Sequence, residues 1–134
     1  MDYENSKRLL NIFIENSNRI LSAGFGLNCV ESTFFEVVEL LKEYSDLKAE
    51  FMSKVEVAMA AVDVGILVSE IPSHELIELV AHEMRWMEIL ECAEMRIRSR
   101  FHGDRSLAVG DIATSVIEAY NDNWPDREFY AHYA

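Results

Sequence analysis

Three residues at four-residue spacing, His74, Glu78 and His82, are the part of the chain whose types and arrangement could do chemistry. On a helix this spacing places them along one stripe, and metal sites in proteins use histidine and carboxylate ligands. The pattern differs from the H-E-x-x-H metalloprotease motif, and a metal site in a helical bundle needs further ligands from a second helix. We therefore expect a solvated polar stripe here, with no bound metal and no cofactor.

Nucleophilic and phosphate-binding motifs are missing from the sequence. No serine lies in a G-x-S-x-G elbow, and Gly24-Phe25-Gly26 lacks the later glycine and the preceding strand of a dinucleotide-binding loop. Cys29 and Cys92 each lie in an apolar helical context without a C-x-x-C pair, which predicts buried, reduced thiols. The sequence therefore predicts no catalytic residue, and we expect the protein not to be an enzyme.

The charge of the chain restricts its partners. Twenty-four acidic residues against twelve basic ones give 134 residues a formal net charge of −12. Such a charge repels nucleic acid and anionic membranes and attracts basic protein surfaces. Half of the residues are hydrophobic, so the acidity does not indicate a disordered tail. We expect neither nucleic acid nor a membrane to be a partner.

The arginines are concentrated in one segment. Residues 95–105 contain Arg96, Arg98, Arg100 and Arg105. No aromatic residues alternate with these arginines, as they would in a surface that binds nucleic acid. We expect the four to pair with surrounding carboxylates of the same molecule.

The elements that must position these residues are helices. Apolar residues recur at helical spacing over about 4–22, 31–44, 73–101 and 106–121, and Ser45-Asp46 can cap a further helix that runs to about Val62. Segment 73–101 fits one long helix or two that meet near Arg85-Trp86, and Val64–Val68 fits a connector. We expect residues 1–134 to form one all-α domain of five to seven helices, packed as an orthogonal bundle or a short solenoid.

The chain shows no targeting pattern. Met1-Asp2-Tyr3-Glu4 lacks the basic and apolar regions of a signal peptide. The longest apolar region, Val55–Val68, is interrupted by Glu56 and Asp63, and it falls short of the roughly 18 residues of a membrane span. We therefore expect a cytoplasmic protein.

The last residues of the chain alternate carboxylates with aromatic rings. The carboxylates are Glu118, Asp122, Asp126 and Glu128, and the rings are Tyr120, Trp124, Phe129, Tyr130 and Tyr133. Aromatic anchors with an acidic rim are typical of protein-binding surfaces. The alternative is a C-terminal turn whose aromatic side chains cover the core, and the two interpretations are compatible.

A pattern in the C-terminal half resembles a known group of proteins. It consists of Pro72-x-x-Glu75-Leu76-Ile77-Glu78, His82-Glu83-Met84-Arg85-Trp86 and Ile117-x-x-Ala119-Tyr120-x-Asp122-x-Trp124-x-Asp126-Arg127-x-Phe129-Tyr130. Over residues 71–134 the chain resembles small helical immunity proteins of bacterial polymorphic-toxin systems, of which contact-dependent growth inhibition loci encode examples. The resemblance implies a protein that binds one cognate toxin domain and blocks its active site or substrate groove.

An immunity protein of this kind needs a surface for a basic toxin, such as a nuclease. We expect that surface to consist of Glu78, Glu83, Asp122, Asp126 and Glu128 as charged contacts and of Trp124 and Tyr130 as anchors. Three alternatives stay open. They are a phage-encoded acidic inhibitor such as an anti-CRISPR that mimics nucleic acid, a helical enzyme or metal protein centred on the histidine stripe, and a helical adaptor.

Overall fold

The computed structural model describes residues 1–61 and 70–134, and within them the chain is helical without a strand. The α-helices are α1 (Tyr3–Ser22), α2 (Leu27–Glu43), α3 (Leu47–Ala60), α4 (His74–Met84), α5 (Met87–Arg100) and α6 (Ile112–Glu118). Short 3-10 turns follow at Arg105–Ala108, Pro125–Phe129 and Ala131–Tyr133. The predicted all-α class is confirmed. The predicted helix end at Val62 and the connector at Val64–Val68 lie outside the described residues.

Helix α4 lies at the centre of the bundle. Every residue from 76 to 82 is buried, as expected of a helix that is covered on all sides. Helices α2 and α6 pack against it, α1 and α2 form an antiparallel pair, and α3 lies between α1 and α5. Among the described helices, none combines the length and the apolar character that a membrane span requires.

The ends of α4 show why segment 73–101 forms two helices. Ser73 caps the start, where its Oγ accepts a hydrogen bond from the Leu76 N–H at 3.2 Å. At the other end Arg85 has φ 54°, a left-handed conformation that stops the helix and redirects the chain into α5. The Arg85 side chain donates to the carbonyl oxygens of His82, at 2.8 Å, and Tyr120. These bonds hold a backbone conformation that is unfavourable for an arginine.

Two predicted helix boundaries differ from the structure. Helix α2 begins at Leu27 instead of 31, because Gly26 in extended conformation already ends the turn. The predicted helix 106–121 is divided into a 3-10 turn and α6. Gly110, with φ 82°, breaks it, and the Asp111 side chain then caps α6 by accepting from the Ala113 N–H at 2.9 Å.

Arg96, on α5, binds the end of α3 and the start of α6 and so holds the three helices together. Its guanidinium makes two hydrogen bonds to the Asp111 carboxylate, at 2.9 and 3.0 Å, and donates to the carbonyl oxygens of Met59 and Ala61 at the end of α3. The predicted pairing with a carboxylate is therefore confirmed for Arg96. Arg98 and Arg105 are exposed and make no ion pair within residues 1–61 and 70–134, so the same prediction is wrong for them in the described structure.

Candidate functional site

The residues predicted to bind a partner lie where the C-terminal segment, residues 119–134, folds back over α4. The two predicted anchors are buried, with exposed fractions of 3% for Trp124 and 2% for Tyr130. The Trp124 ring lies 4.8 Å from the ring of His82 and 6.0 Å from that of Tyr130. These side chains cover the core, as the alternative interpretation of the segment expected, and they present almost no surface to a partner.

Two of the three residues of the histidine stripe are buried and His74 is partly buried, so the expectation of a solvated stripe is wrong. Glu78 and His82 are 7% and 6% exposed, because the C-terminal segment and α6 cover this side of α4. His82 Nδ1 lies 2.7 Å from the Ala119 carbonyl oxygen and must carry the proton, since a carbonyl only accepts. Among the described residues no group of three or more His, Cys, Asp or Glu side chains is arranged to hold a metal.

Glu78 does not present a negative charge to solvent. Burial, repulsion from Asp126 and a hydrogen bond with Asp126 raise the pKa of Glu78 from 4.5 to about 8. Its Oε1 is buried and has no hydrogen-bond partner in the part of the chain that the structure describes. At neutral pH the side chain is therefore mostly a neutral acid that shares a hydrogen bond inside the protein.

The other predicted carboxylates differ in whether they have a cationic partner within the described residues. Asp122 Oδ1 lies 3.2 Å from Arg85 Nη2, and Glu83 Oε1 lies 3.9 Å from His132 Nε2. Glu128 is exposed and has no ion pair within the described ranges. A contact between a partner and Glu83, Asp122, Asp126 or Glu128 stays a prediction, whereas the burial of Glu78, Trp124 and Tyr130 removes their side chains from the accessible surface.

The C-terminal segment is also fastened to α2. The Glu31 carboxylate accepts hydrogen bonds from the backbone N–H groups of Ala131, at 2.7 Å, and His132, at 3.2 Å. The His132 ring stacks on Phe35 with 4.1 Å between ring centroids. Glu31 lies in the second turn of α2 and binds the last 3-10 turn. This segment is a structural clamp across α2 and α4.

A second surface, which the sequence did not indicate, is a groove of about 900 Å³ between α3 and α5. The two helices run side by side in the same direction. Near their first turns Lys48 Nζ lies 2.6 Å from Glu88 Oε2, and at their ends Arg100 Nη2 donates to the Ala60 carbonyl oxygen at 2.6 Å. Each helix has 14 residues and is therefore about 21 Å long. We call this surface the α3–α5 groove.

Methionines form much of the apolar lining of the α3–α5 groove. Met52 and Met59 of α3 are buried, while Met95 of α5 is 57% exposed and Cys92 is partly buried beside it. Methionine is flexible and polarisable, and it is frequent on surfaces that adapt to a partner. The groove therefore offers apolar contact area that no described part of the protein covers.

Carboxylates stand on both walls of the α3–α5 groove. Glu56 on α3 and Glu91 on α5 are exposed. Burial, and after it the charges of these two glutamates, raises the pKa of the Cys92 thiol. Asp46 lies at the end where both helices begin. Neither these two glutamates nor Asp46 makes an ion pair within the described residues. The groove thus has an apolar centre and an acidic rim.

The cysteines do not match the prediction of two buried thiols. Cys29 is exposed on the first turn of α2, and Cys92 is partly buried in the wall of the groove. Both are free, so the predicted reduced state is consistent with the structure. The early start of α2 explains Cys29, because it places this residue in a helix end that none of the described residues covers.

Cations and carboxylates are used differently over the whole surface. Most cations contact carboxylates or backbone carbonyls of the protein, namely Lys7, Lys42, Lys48, Lys54, Arg85, Arg96, Arg100 and Arg127. Many exposed carboxylates have no cation partner in the described residues, namely Glu4, Glu36, Glu43, Asp46, Glu56, Glu70, Glu91, Glu118 and Glu128. The excess negative charge is therefore displayed to solvent.

No family model, curated protein or solved structure matches this chain.

Proposed function

We propose that this protein is an immunity protein, which binds a cognate bacterial toxin in the cytoplasm and neutralises it without a reaction of its own. The observation that carries the proposal is the unequal use of charge: most cations contact a carboxylate or a backbone carbonyl of the protein, whereas many exposed carboxylates have no cation partner in the described residues. A surface of this kind attracts a positively charged protein over a distance of about one Debye length, about 8 Å at physiological salt.

The rigid framework favours this use of the charge. Exposed glutamates such as Glu56 and Glu91 project from the helices α3 and α5, so their spacing is set before a partner arrives. Preorganised opposite charges accelerate association more than they strengthen the final complex. Fast capture suits an inhibitor whose target is harmful while it is free. Many toxins of such systems are nucleases, whose basic substrate grooves a negative protein surface can occupy.

The experiment is protection of cells from the toxin domain that is encoded beside the gene. Co-expression should restore growth, and the purified pair should associate at a rate that falls as NaCl is raised from 50 to 500 mM, because salt screens the steering charges. A mismatched toxin from another system is the control and should remain lethal. Absence of both binding and protection would overturn the proposal. Competition with DNA for a host complex would also overturn it, in favour of nucleic-acid mimicry.

A further inference from the structure

We infer that the α3–α5 groove binds a basic amphipathic helix of the partner protein. The inference rests on the proposed function for the identity of the partner, and it names the part of the partner that the protein would hold.

The shape of the groove fits a helix. Its walls are two parallel helices that each extend about 21 Å, a length that matches about four turns of a third helix laid in the valley between them. Ser45 before α3, Ala49 and Ala60 of α3 and Ser99 of α5 lie along the lining, and small side chains allow a neighbouring backbone to approach closely. Amphipathic helices bind in hydrophobic grooves through apolar residues spaced i, i+3, i+4 and i+7.

The lining supplies the apolar contact that such a helix requires. Met52 and Met59 form the buried part, and Met95, 57% exposed, can still be covered by an incoming side chain. Cys92 lies beside Met95 on the same wall and is partly accessible. An apolar face of the partner would therefore bury Met95 and shield Cys92 from solvent.

Charge selects a basic helix over an acidic one. Three cations line the groove, and each has a partner within the protein: Lys48 pairs with Glu88, Arg96 pairs with Asp111, and the exposed Arg100 donates to the Ala60 carbonyl oxygen. Glu56 and Glu91 on opposite walls have no ion pair in the described residues, so lysines or arginines flanking an apolar stripe would meet a carboxylate on either side. A second copy of this chain, with a net charge of −12, would instead bring further carboxylates against the rim.

The test uses the full protein and two designed 18-residue peptides with the same leucine stripe. One peptide carries lysines and the other glutamates on its polar face. We expect the lysine peptide to bind at least ten-fold more tightly than the glutamate peptide. It should also slow the alkylation of Cys92 at least five-fold while that of Cys29, exposed on α2, is unchanged. Cys29 is thus an internal control for the reactivity of the alkylating reagent.

Variants locate the peptide on the groove. Met95→Ala should weaken binding about ten-fold, chiefly through faster dissociation, because the peptide loses an apolar contact. The double variant Glu56→Gln and Glu91→Gln should weaken it about five-fold, chiefly through slower association. The matched control is Glu36→Gln with Glu43→Gln on α2, which makes the same change in net charge and should leave the affinity within two-fold.

Several outcomes would overturn the inference. They are equal affinity for the two peptides, alkylation of Cys92 that the lysine peptide does not slow, and an equal loss of affinity in the α2 control. Self-association in sedimentation that Met95→Asp abolishes would also overturn it and assign the groove to a second copy. If the toxin binds and protection holds while Cys92 stays reactive, the inference fails and the proposed function stands. If the lysine peptide binds but the toxin does not, the inference stands and the proposed function fails.

Discussion

The C-terminal segment and the α3–α5 groove combine the same kinds of residue and use them in opposite ways. In the C-terminal segment the aromatic rings of Trp124 and Tyr130 point into the core, and Asp122 pairs with Arg85. In the groove, Met95 and the carboxylates of Glu56 and Glu91 face solvent. The comparison shows that acids near large apolar residues indicate a binding surface only where no other part of the chain covers them. The C-terminal segment is a clamp, whereas the α3–α5 groove is available to a partner.

Arg96→Ala gives the largest expected effect, because it removes the cation that joins both walls of the groove to α6. We expect a loss of about 3–5 kcal/mol of unfolding free energy in urea, since the Asp111 carboxylate and the Met59 carbonyl oxygen lose their partner. Burial raises the pKa of Asp111, but the hydrogen bonds from Arg96 and the Ala113 N–H, together with the charges of Arg96 and His74, outweigh it and leave the pKa lowered. Arg98→Ala, at an exposed arginine on the same helix, is the control and should cost less than about 0.5 kcal/mol. Equal effects would show that the guanidinium does not hold these elements.

Trp124→Ala tests the assignment of the C-terminal segment as structure. We expect a loss of about 3 kcal/mol, because the buried ring leaves a cavity beside His82. Met95→Ala in the groove removes a side chain that is largely exposed, so it should change the stability by less than about 0.5 kcal/mol. Urea denaturation of both variants measures the contrast. Similar losses at the two positions would contradict the division into a clamp and an available surface.

Glu78→Gln tests whether the carboxyl group of Glu78, on α4 under the C-terminal segment, is neutral. The pKa of Glu78 is about 8 in the folded protein and near 4.5 in a solvated glutamate, so between these values the folded state holds more protons than the unfolded state. The stabilising contribution of neutral Glu78 is thus complete below pH 4.5 and declines as the pH rises through 8, by at most about 1.4 kcal/mol per pH unit. Glutamine cannot lose a proton, so the variant should become more stable relative to wild type as the pH rises.

Urea unfolding at pH 5, 6.5 and 8 measures this difference. The matched control is Glu128→Gln, at an exposed glutamate of the same region, which should keep a constant difference from wild type over the three pH values. A parallel pH dependence of wild type and Glu78→Gln would show that Glu78 is ionised in the fold.

Much of the fold could be predicted from local patterns. The spacing of Leu10 and Ile14, for example, predicts one buried side of α1, and both residues are fully buried. Ser73 after Pro72 predicts the start of α4, and the structure confirms the cap. The break at Gly110 was missed, although a glycine followed by Asp111 is a helix-stop and helix-cap signal that could have indicated it.

Less of the candidate site could be predicted, because its parts are far apart in the sequence. Met52 and Met95 are separated by more than forty residues, and no short motif indicates that α3 and α5 lie parallel. Burial of Trp124 and Tyr130 likewise depends on the last 3-10 turns folding back on α2 and α4. There the Glu31 carboxylate accepts hydrogen bonds from the backbone N–H groups of Ala131 and His132. A residue type predicts a preference for burial, but the neighbour that provides the burial is decided by long-range packing.

The sequence by itself determined the helical class, because periodicity and caps act within a few residues, and it determined the net charge, because charge is a sum over residues. Only the tertiary structure decided which carboxylates remain free. Glu78 became a neutral buried acid under the C-terminal segment, whereas Glu56 and Glu91 were left on the rim of a groove. The physical reason is that the solvation of a charge depends on every element packed around it, and that arrangement exists only after the helices have assembled.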